Sequence, residues 1–112
     1  MKRPEEVLQR SVVKWLRLQH PKLLWFAVPN QRGTRSLIEN QILKGLGVRA
    51  GVADLVFVFP RGNVGFIELK APGGKQSAAQ EQFEMDATEV GAFYDVCDKL
   101  DDVISTLNKW MA

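Results

Sequence analysis

The stretch from residue 54 to residue 70 constrains the fold most, because charged residues interrupt two otherwise apolar segments. The first segment is Asp-Leu-Val-Phe-Val-Phe, the second ends in Phe-Ile-Glu-Leu-Lys, and Pro-Arg-Gly lies between them. This spacing is typical of a three-residue hairpin loop, with Pro presetting a type I turn and Gly in the left-handed position that follows. The stretch therefore predicts a β-hairpin with strands at about 54–59 and 63–70.

The hairpin loop sets the register of the two strands and thereby the position of Asp54. If Phe59 pairs with Asn63, continuing the pairing back along the strands places Asp54 directly opposite Glu68. Side chains alternate along a strand, so Glu68 and Lys70 share one face. One interpretation of Glu68 and Lys70 is an ordinary solvent-facing strand surface. The other is a functional site, because an ionised carboxylate near a core is costly unless it is paired or binds a metal. Two carboxylates beside a lysine predict a divalent-cation site next to a cation that can position water.

Length and composition indicate one soluble domain spanning residues 1–112, with 46% hydrophobic and 25% charged residues. The longest strictly apolar run, residues 23–28, is too short to cross a bilayer, and the first residues lack the apolar stretch of a signal peptide. Cys97 is the only cysteine, which excludes an internal disulfide and a cysteine-based zinc site. A reducing, cytoplasmic setting without membrane contact is expected.

Charge is distributed unevenly along the chain. Residues 1–49 hold ten Lys or Arg and three Glu, a net charge of +7, whereas residues 50–112 hold five basic and ten acidic residues, a net charge of −5. Such asymmetry is typical of a basic surface for a polyanion beside an acidic site. Ordinary solvated helix faces produce the same pattern, so charge alone leaves both interpretations open.

Apolar periodicity and turn residues predict an α/β protein in the order αβαββαβα, with about four strands and helices packed against them. The other expected elements are a helix from Pro4 to Pro21, a strand at 23–28, a helix at 34–46 capped by Thr34, a helix from Ser77 to Val90, a strand at 92–97 and a helix at 101–110. Trp15, Trp25 and Trp110 are interpreted as core residues, and His20 as a surface residue rather than a ligand.

Three strings of residues around the hairpin form a specific combination. They are Gly-Val-Arg-Ala-Gly-Val-Ala-Asp-Leu (47–55), Phe-Ile-Glu-Leu-Lys-Ala-Pro-Gly-Gly (66–74) and Ser-Ala-Ala-Gln (77–80). Together they resemble the virus-type replication-repair nuclease (VRR-NUC) domain, a branch of the PD-(D/E)xK nuclease superfamily. The resemblance covers most of the chain and implies a restriction-endonuclease-like core, a central mixed four-stranded sheet flanked by helices, which matches the order above.

The resemblance also implies roles for individual residues. Asp54 and Glu68 would bind Mg²⁺ or Mn²⁺ with the Leu69 backbone carbonyl as a further ligand, and Lys70 would orient and help deprotonate the attacking water. Gln80 resembles the family's glutamine beside the site.

Three details qualify these roles. Gln80 also closes a Ser-x-x-Gln capping box, so capping remains an alternative to a site role. Glu5 and Glu6 compete as the first-helix carboxylate, and Glu5 is preferred because it lies one turn from Gln9. Ala53 stands where the family usually has Pro, which leaves the backbone approach to Asp54 open.

Basic residues outside the acidic site are candidates for the DNA backbone, where contacts position the protein without reading sequence. Any one of them can equally be an ordinary solvent-facing residue. The candidates are Arg32, Arg35, Lys44, Arg49 and Lys75, together with Asn30, which resembles a loop asparagine of the family.

The resemblance implies a Mg²⁺- or Mn²⁺-dependent endodeoxyribonuclease. A bare domain of this size favours a structure-selective, homodimeric Holliday-junction resolvase acting on four-way junctions in a bacterial or phage-infected cell. The alternatives are a flap- or nick-directed repair nuclease and a non-catalytic DNA-binding module of the same fold. The apolar residues of the 34–46 helix are candidates for the dimer interface, although burial in the core is the expected use; they are Leu37, Ile38, Ile42 and Leu46.

Overall fold

The computed structural model describes residues 3–29 and 36–112. Within these ranges the chain follows the predicted order αβαββαβα. The helices are α1 (Pro4–Gln19), α2 (Leu37–Gly45), α3 (Ala78–Glu89) and α4 (Leu100–Met111), and the strands are β1 (Leu24–Ala27), β2 (Leu55–Val58), β3 (Val64–Leu69) and β4 (Phe93–Cys97). The predicted cap Thr34 and the candidates Asn30, Arg32 and Arg35 lie outside the described residues.

The four strands form one mixed sheet in the order β1-β2-β3-β4. β1 pairs antiparallel with β2 and β2 antiparallel with β3, whereas β4 runs parallel to β3. The parallel pair requires a crossover, which α3 supplies between β3 and β4. The predicted fold class, a mixed four-stranded sheet flanked by helices, is confirmed.

The predicted hairpin register is confirmed, but the predicted turn type is wrong. Leu55 pairs with Ile67, and the N–H of Phe59 donates to the carbonyl of Asn63 over 2.7 Å. A type I turn places its second central residue near φ −90°, whereas Arg61 has φ 71° and ψ 10°. Arg61 therefore joins Gly62 in the left-handed region, and the loop still closes in three residues without shifting the strands.

α1 and α4 cover one face of the sheet, and α3 lies against the other. Leu16 from α1 and Leu107 from α4 are buried in the main core with Phe57 and Ile67. On the opposite face, the Phe83 ring of α3 meets the Phe66 ring edge-on, with centroids 5.0 Å apart. The strands are thus sandwiched at their centre, which explains why both faces of β2 are apolar.

An aromatic cluster closes the loop end of the hairpin. The rings of Phe93 and Trp110 stack with centroids 5.4 Å apart, and the ring of Phe59 meets Trp110 edge-on at 6.2 Å. Gly65 lies beneath this cluster, because a Cβ there would come within 2.6 Å of the Trp110 ring. The three tryptophans pack against the core as predicted.

The helix α2 departs most from expectation. Ser36 caps it by accepting a hydrogen bond from the Glu39 N–H over 3.1 Å, so the cap lies two residues later than the predicted Thr34. The expectation that its apolar residues are buried in the core is wrong: none of residues 37–45, all of them described, is buried. Leu37 is 80% exposed and Ile42 57% exposed. Helical periodicity marks an apolar face but does not say what that face packs against.

Two smaller expectations concern the surface. His20 is half-buried, with its ring edge-on to that of Trp15 at a centroid distance of 5.0 Å. Among the described residues, no helix combines the length and apolarity that crossing a membrane requires.

Candidate active site

Asp54 is held on two sides where the β2 and β3 strands begin to separate. Its backbone carbonyl accepts the Val28 N–H over 2.9 Å, which continues the β1–β2 pairing by one residue. Its side-chain Oδ2 accepts the Leu69 N–H over 2.8 Å, and the residue is only 4% exposed. These two contacts fix the position of the backbone and side chain of Asp54, although the preceding residue is Ala53 rather than a rigid Pro. The strand begins at Leu55 rather than at Asp54, so the carboxylate stands at the end of the ladder.

Glu68 is the most enclosed acidic residue of the described chain, with no exposed surface. Its Oε2 accepts a hydrogen bond from Gln80 Nε2 over 2.9 Å and lies 3.8 Å from Lys70 Nζ. The Lys70 N–H donates to the Cys97 carbonyl over 2.9 Å, which extends the β3–β4 pairing. The register thus places a second carboxylate opposite Asp54, and the ammonium of Lys70 is held beside it.

Gln80 makes contacts that fit both of the alternatives that the sequence left open. Its Oε1 accepts the Ser77 N–H over 2.8 Å while the Ser77 hydroxyl accepts the Gln80 N–H, which completes a capping box. Its Nε2 remains available to donate to Glu68. The helix cap therefore orients the amide, because the oxygen bonded to Ser77 leaves the NH₂ group directed at the carboxylate.

Gly51 allows the loop before β2 to pack closely against the first turn of α3. It adopts φ +84°, and a Cβ there would lie 2.4 Å from the backbone carbonyl of Ala79 and 2.7 Å from the Gln80 nitrogen. Only glycine allows both this conformation and this approach. The loop that leads to Asp54 and the turn that carries Gln80 are consequently in direct backbone contact.

Glu5 and Glu6 diverge from one another at the start of α1. Glu5 lines a cleft of about 620 Å³ together with Gln9 and Asp54. Glu6 also borders this cleft, but its carboxylate pairs with Arg10, the Nη2–Oε1 distance being 3.2 Å. Glu5 is half-buried and Glu6 exposed, so Glu5 is the better-placed carboxylate of the two.

The candidate DNA contacts divide into two groups among the described residues. Lys44 and Lys75 are exposed. Arg49 instead pairs with Asp86 and lies over the Phe83 ring, its Cζ 5.2 Å from the centroid. The hydrogen bond from Arg49, together with one from Gln82 Nε2, holds the pKa of the Asp86 carboxyl below its ordinary value. Arg49 thus attaches the loop before β2 to α3, beside the contact made by Gly51.

A polar network next to the site had no sequence signal. Gln76 Nε2 donates to Glu84 Oε1 over 3.0 Å and to the Tyr94 hydroxyl over 3.2 Å. Burial raises the pKa of Tyr94 to about 12, and the negative charges of Glu68 and neighbouring carboxylates act in the same direction, against the Gln76 hydrogen bond. Gln76, Glu84 and Tyr94 come from a loop, a helix and a strand, so only the assembled fold brings them together.

The donors of the site suit a hard divalent cation. Asp54 and Glu68 offer carboxylate oxygens, which Mg²⁺ prefers, and Mg²⁺ commonly keeps several waters and so needs few protein ligands. Across residues 3–29 and 36–112, no group of three or more His, Cys, Asp or Glu side chains is arranged to hold a metal. The fit therefore rests on two carboxylates, with Glu5 in the adjoining cleft.

The chain thus has an α/β fold, a mixed four-stranded sheet with α1 and α4 on one face and α3 on the other, and it carries paired carboxylates at the strand ends. The same fold occurs in a solved structure described as a VRR_NUC domain protein, with a TM-score of 0.78, 24% identity, and coverage of 98% of this chain and 89% of the other. A second, described as a VRR_NUC domain, has a TM-score of 0.66 and 18% identity, covering 96% of this chain and 97% of the other. The resemblance seen in the motifs is thus confirmed in the fold of nearly the whole chain.

Sequence comparison adds no further relative. No protein-family profile matches the chain, and a comparison with curated proteins finds no match.

Proposed function

We propose that this protein is a divalent-metal-dependent, structure-selective endodeoxyribonuclease. The observation that carries the proposal is the cluster formed by Asp54, Glu68 and Lys70, in which two buried carboxylates lie at the ends of adjacent strands with an ammonium 3.8 Å from one of them. The likeness to structures described as VRR_NUC domains supports the same conclusion. Evolved cores avoid burying acids at such a place unless the charge has a use.

Each residue of the cluster has a separate task in phosphodiester hydrolysis. Asp54 and Glu68, with the Leu69 backbone carbonyl, would hold Mg²⁺ or Mn²⁺, which supplies charge neutralisation and an acidified water when bound. Lys70 would orient the attacking water through its ammonium, which is held close to Glu68, and its positive charge would help the water lose its proton to solvent. Gln80 fixes the Glu68 carboxylate through its amide. Glu5 completes the acidic side of the cleft.

The proposed substrate is branched DNA, with four-way junctions preferred. Lys44 and Lys75 are exposed and are the described candidates for backbone contacts; Asn30, Arg32 and Arg35 remain proposals from sequence. Arg49 is the weakest candidate, since a phosphate would have to displace its partner Asp86.

We also propose that the active form is a homodimer, as expected of a junction resolvase that cuts two strands symmetrically. The support is α2, where several large apolar side chains are exposed although water disfavours such a surface on a lone domain. A second copy seated on α2 would bury them.

Cleavage of a labelled four-way junction in Mg²⁺ tests the catalytic proposal. Asp54→Ala and Lys70→Ala are each expected to lower the rate by at least about 10²-fold, because a positioned proton-transfer group alone contributes about 10²–10⁴-fold. Lys109→Ala, which removes an exposed lysine from the far end of α4, is the matched control and should cut normally.

The outcome also separates the alternatives. Equal cutting by both site variants and the wild type would overturn the proposed site. Junction binding by the wild type without cleavage in Mg²⁺ or Mn²⁺ would indicate a non-catalytic DNA-binding module instead. Preferential cutting of flaps or nicked duplexes would indicate a repair nuclease of a different substrate class.

A further inference from the structure

Two adjoining clefts run along α1. The acidic cleft described above, which Asp54 lines, has a volume of about 620 Å³. A second cleft of about 600 Å³ lies farther along the same helix. Both are bordered by Glu6 and Gln9, so the second cleft continues from the first.

The charge of the second cleft is opposite to that of the first. Arg10, Lys14 and Arg17 line it, and all three are exposed. Their spacing of four and then three residues places them on one face of the helix. We call these three residues the α1 cation row. The row begins one helical turn beyond Glu6, where the acidic cleft ends.

We propose that the α1 cation row binds successive phosphates of the DNA strand on one side of the scissile bond. This inference rests on the proposed function, because it takes the acidic cleft as the place of cleavage. The dimensions agree: Arg10 and Arg17 are separated by about 10 Å along the helix axis at 1.5 Å per residue. One strand of a duplex presents a phosphate about every 3.4 Å along its axis, so the row spans about three intervals between successive phosphates.

The pairing of Arg10 with Glu6 determines how the row responds to DNA. The two side chains are 66% and 48% exposed and their ion pair is an i,i+4 contact, which is weak in water. A phosphate can therefore displace Glu6 from Arg10. Glu6 also repels the strand as it passes from one cleft to the other, so the removal of its charge is expected to tighten binding.

Binding measured without cleavage tests the proposal. Fluorescence anisotropy of a labelled four-way junction and of a linear duplex, in EDTA and over a series of salt concentrations, gives the affinity and its salt slope. Lys14→Gln combined with Arg17→Gln should weaken binding at least about tenfold on both DNAs and reduce the slope of log K against log salt by about 2, one for each lost phosphate contact. Arg61→Gln combined with Lys109→Gln removes the same charge at the loop end and should change the slope by less than about 0.5.

A third variant gives an effect of the opposite sign. Glu6→Gln is expected to tighten binding about two- to fivefold, which misfolding does not produce. Equal losses in the two double variants, or an unchanged slope in the first, would overturn the cation row. The binding measurements are made without metal, so they can be interpreted even if the protein shows no Mg²⁺-dependent cleavage. Absence of cleavage would count only against the proposed function.

Discussion

At the loop end of the β2–β3 hairpin, aromatic side chains pack on one another, whereas at the open end the same two strands enclose two carboxylates. Phe59, Trp110 and Phe93 bury large ring surfaces around Gly65, and such burial is the main favourable term in folding. Asp54 and Glu68 bring charge into a buried position, which opposes folding unless partners or a cation offset it. Stability and chemistry thus occupy opposite ends of one hairpin, connected by its register.

The comparison is sharpest for Glu68, where we expect a large loss of activity with little change in stability. Glu68→Gln keeps the shape and can still accept from Gln80, but it removes a charge from a fully buried position. Cleavage should fall by at least about 10²-fold, whereas the free energy of unfolding, measured by urea titration, should change by less than about 1 kcal/mol, because the relief of a buried charge offsets the loss of its pairing with Lys70.

Phe59→Leu is the matched control at the loop end. It should lower the free energy of unfolding by about 1 kcal/mol and leave the cleavage rate per folded molecule unchanged. If Glu68→Gln were less stable than Phe59→Leu, the separation of stability from chemistry along the hairpin would be wrong.

Two glycines extend the comparison to backbone packing. A Cβ at Gly65 would press on the Trp110 ring, whereas one at Gly51 would press on the Ala79 and Gln80 backbone. We expect Gly65→Ala to cost about 1–3 kcal/mol through overpacking and to spare the activity of folded molecules. Gly51→Ala should cost at least as much, because φ is also positive there, and should in addition lower cleavage several-fold by displacing Gln80.

Gly45→Ala is the control for these two variants, since a Cβ on Gly45 meets nothing within 4 Å. Its helical position predicts a small gain in stability. Thermal unfolding and single-turnover cleavage of the three variants separate the effects. Unaltered cleavage by folded Gly51→Ala would show that the loop contact does not position the site.

The parts of the fold that were predictable depend on neighbours in sequence. The register of the carboxylates follows from a three-residue loop and alternation along two strands, and it survived an error in turn type because Arg61 adopted a left-handed conformation without lengthening the loop. The capping box at Ser77 is likewise a pattern of four consecutive residues.

The parts that were missed depend on residues far apart in sequence. Arg49 meets Asp86 across 37 positions, and Gln76 reaches Tyr94 across 18. Neither partner is marked by a local pattern, because any exposed acid or hydroxyl could have served. The exposure of α2 has the same cause. Its apolar periodicity predicts that the helix has an apolar face, whereas tertiary or quaternary structure decides what packs against that face.

Gln80 allows the cap and the site to be separated by one substitution. Gln80→Glu retains the capping-box acceptor for the Ser77 N–H but removes the donor to Glu68 and places a second carboxylate there. We expect at least about a tenfold loss of cleavage, with the acidic limb of the pH–rate profile shifted to higher pH, because a like charge raises the pKa of a neighbouring carboxyl.

Ser77→Ala makes the complementary change. It removes the hydroxyl that accepts the Gln80 N–H and should lower the free energy of unfolding by about 1 kcal/mol, with a smaller effect on cleavage. If Ser77→Ala reduced the rate as much as Gln80→Glu, the amide would act only through the helix cap.

Alkaline pH gives the smallest expected effect, and it concerns Cys97, which lies on β4 beside Leu69 at the open end of the hairpin. Burial raises the pKa of the Cys97 thiol from its ordinary value of 9.0 to about 12. Between these two values the unfolded chain loses the proton and the folded chain keeps it. The folded state then binds more protons, so the free energy of unfolding falls as pH rises through this window and is unaffected below it.

Urea titrations at several pH values between 7.5 and 10.5 measure this slope, and Cys97→Ala is expected to flatten it whatever its effect on stability at neutral pH. Tyr94, whose pKa is also raised to about 12 from 10.0, contributes in the same direction only near the top of the range. Tyr94→Phe should therefore change the slope above pH 10 and leave it unchanged near pH 9. An identical slope in the wild type and Cys97→Ala would mean that the thiol is not buried at this end of the sheet.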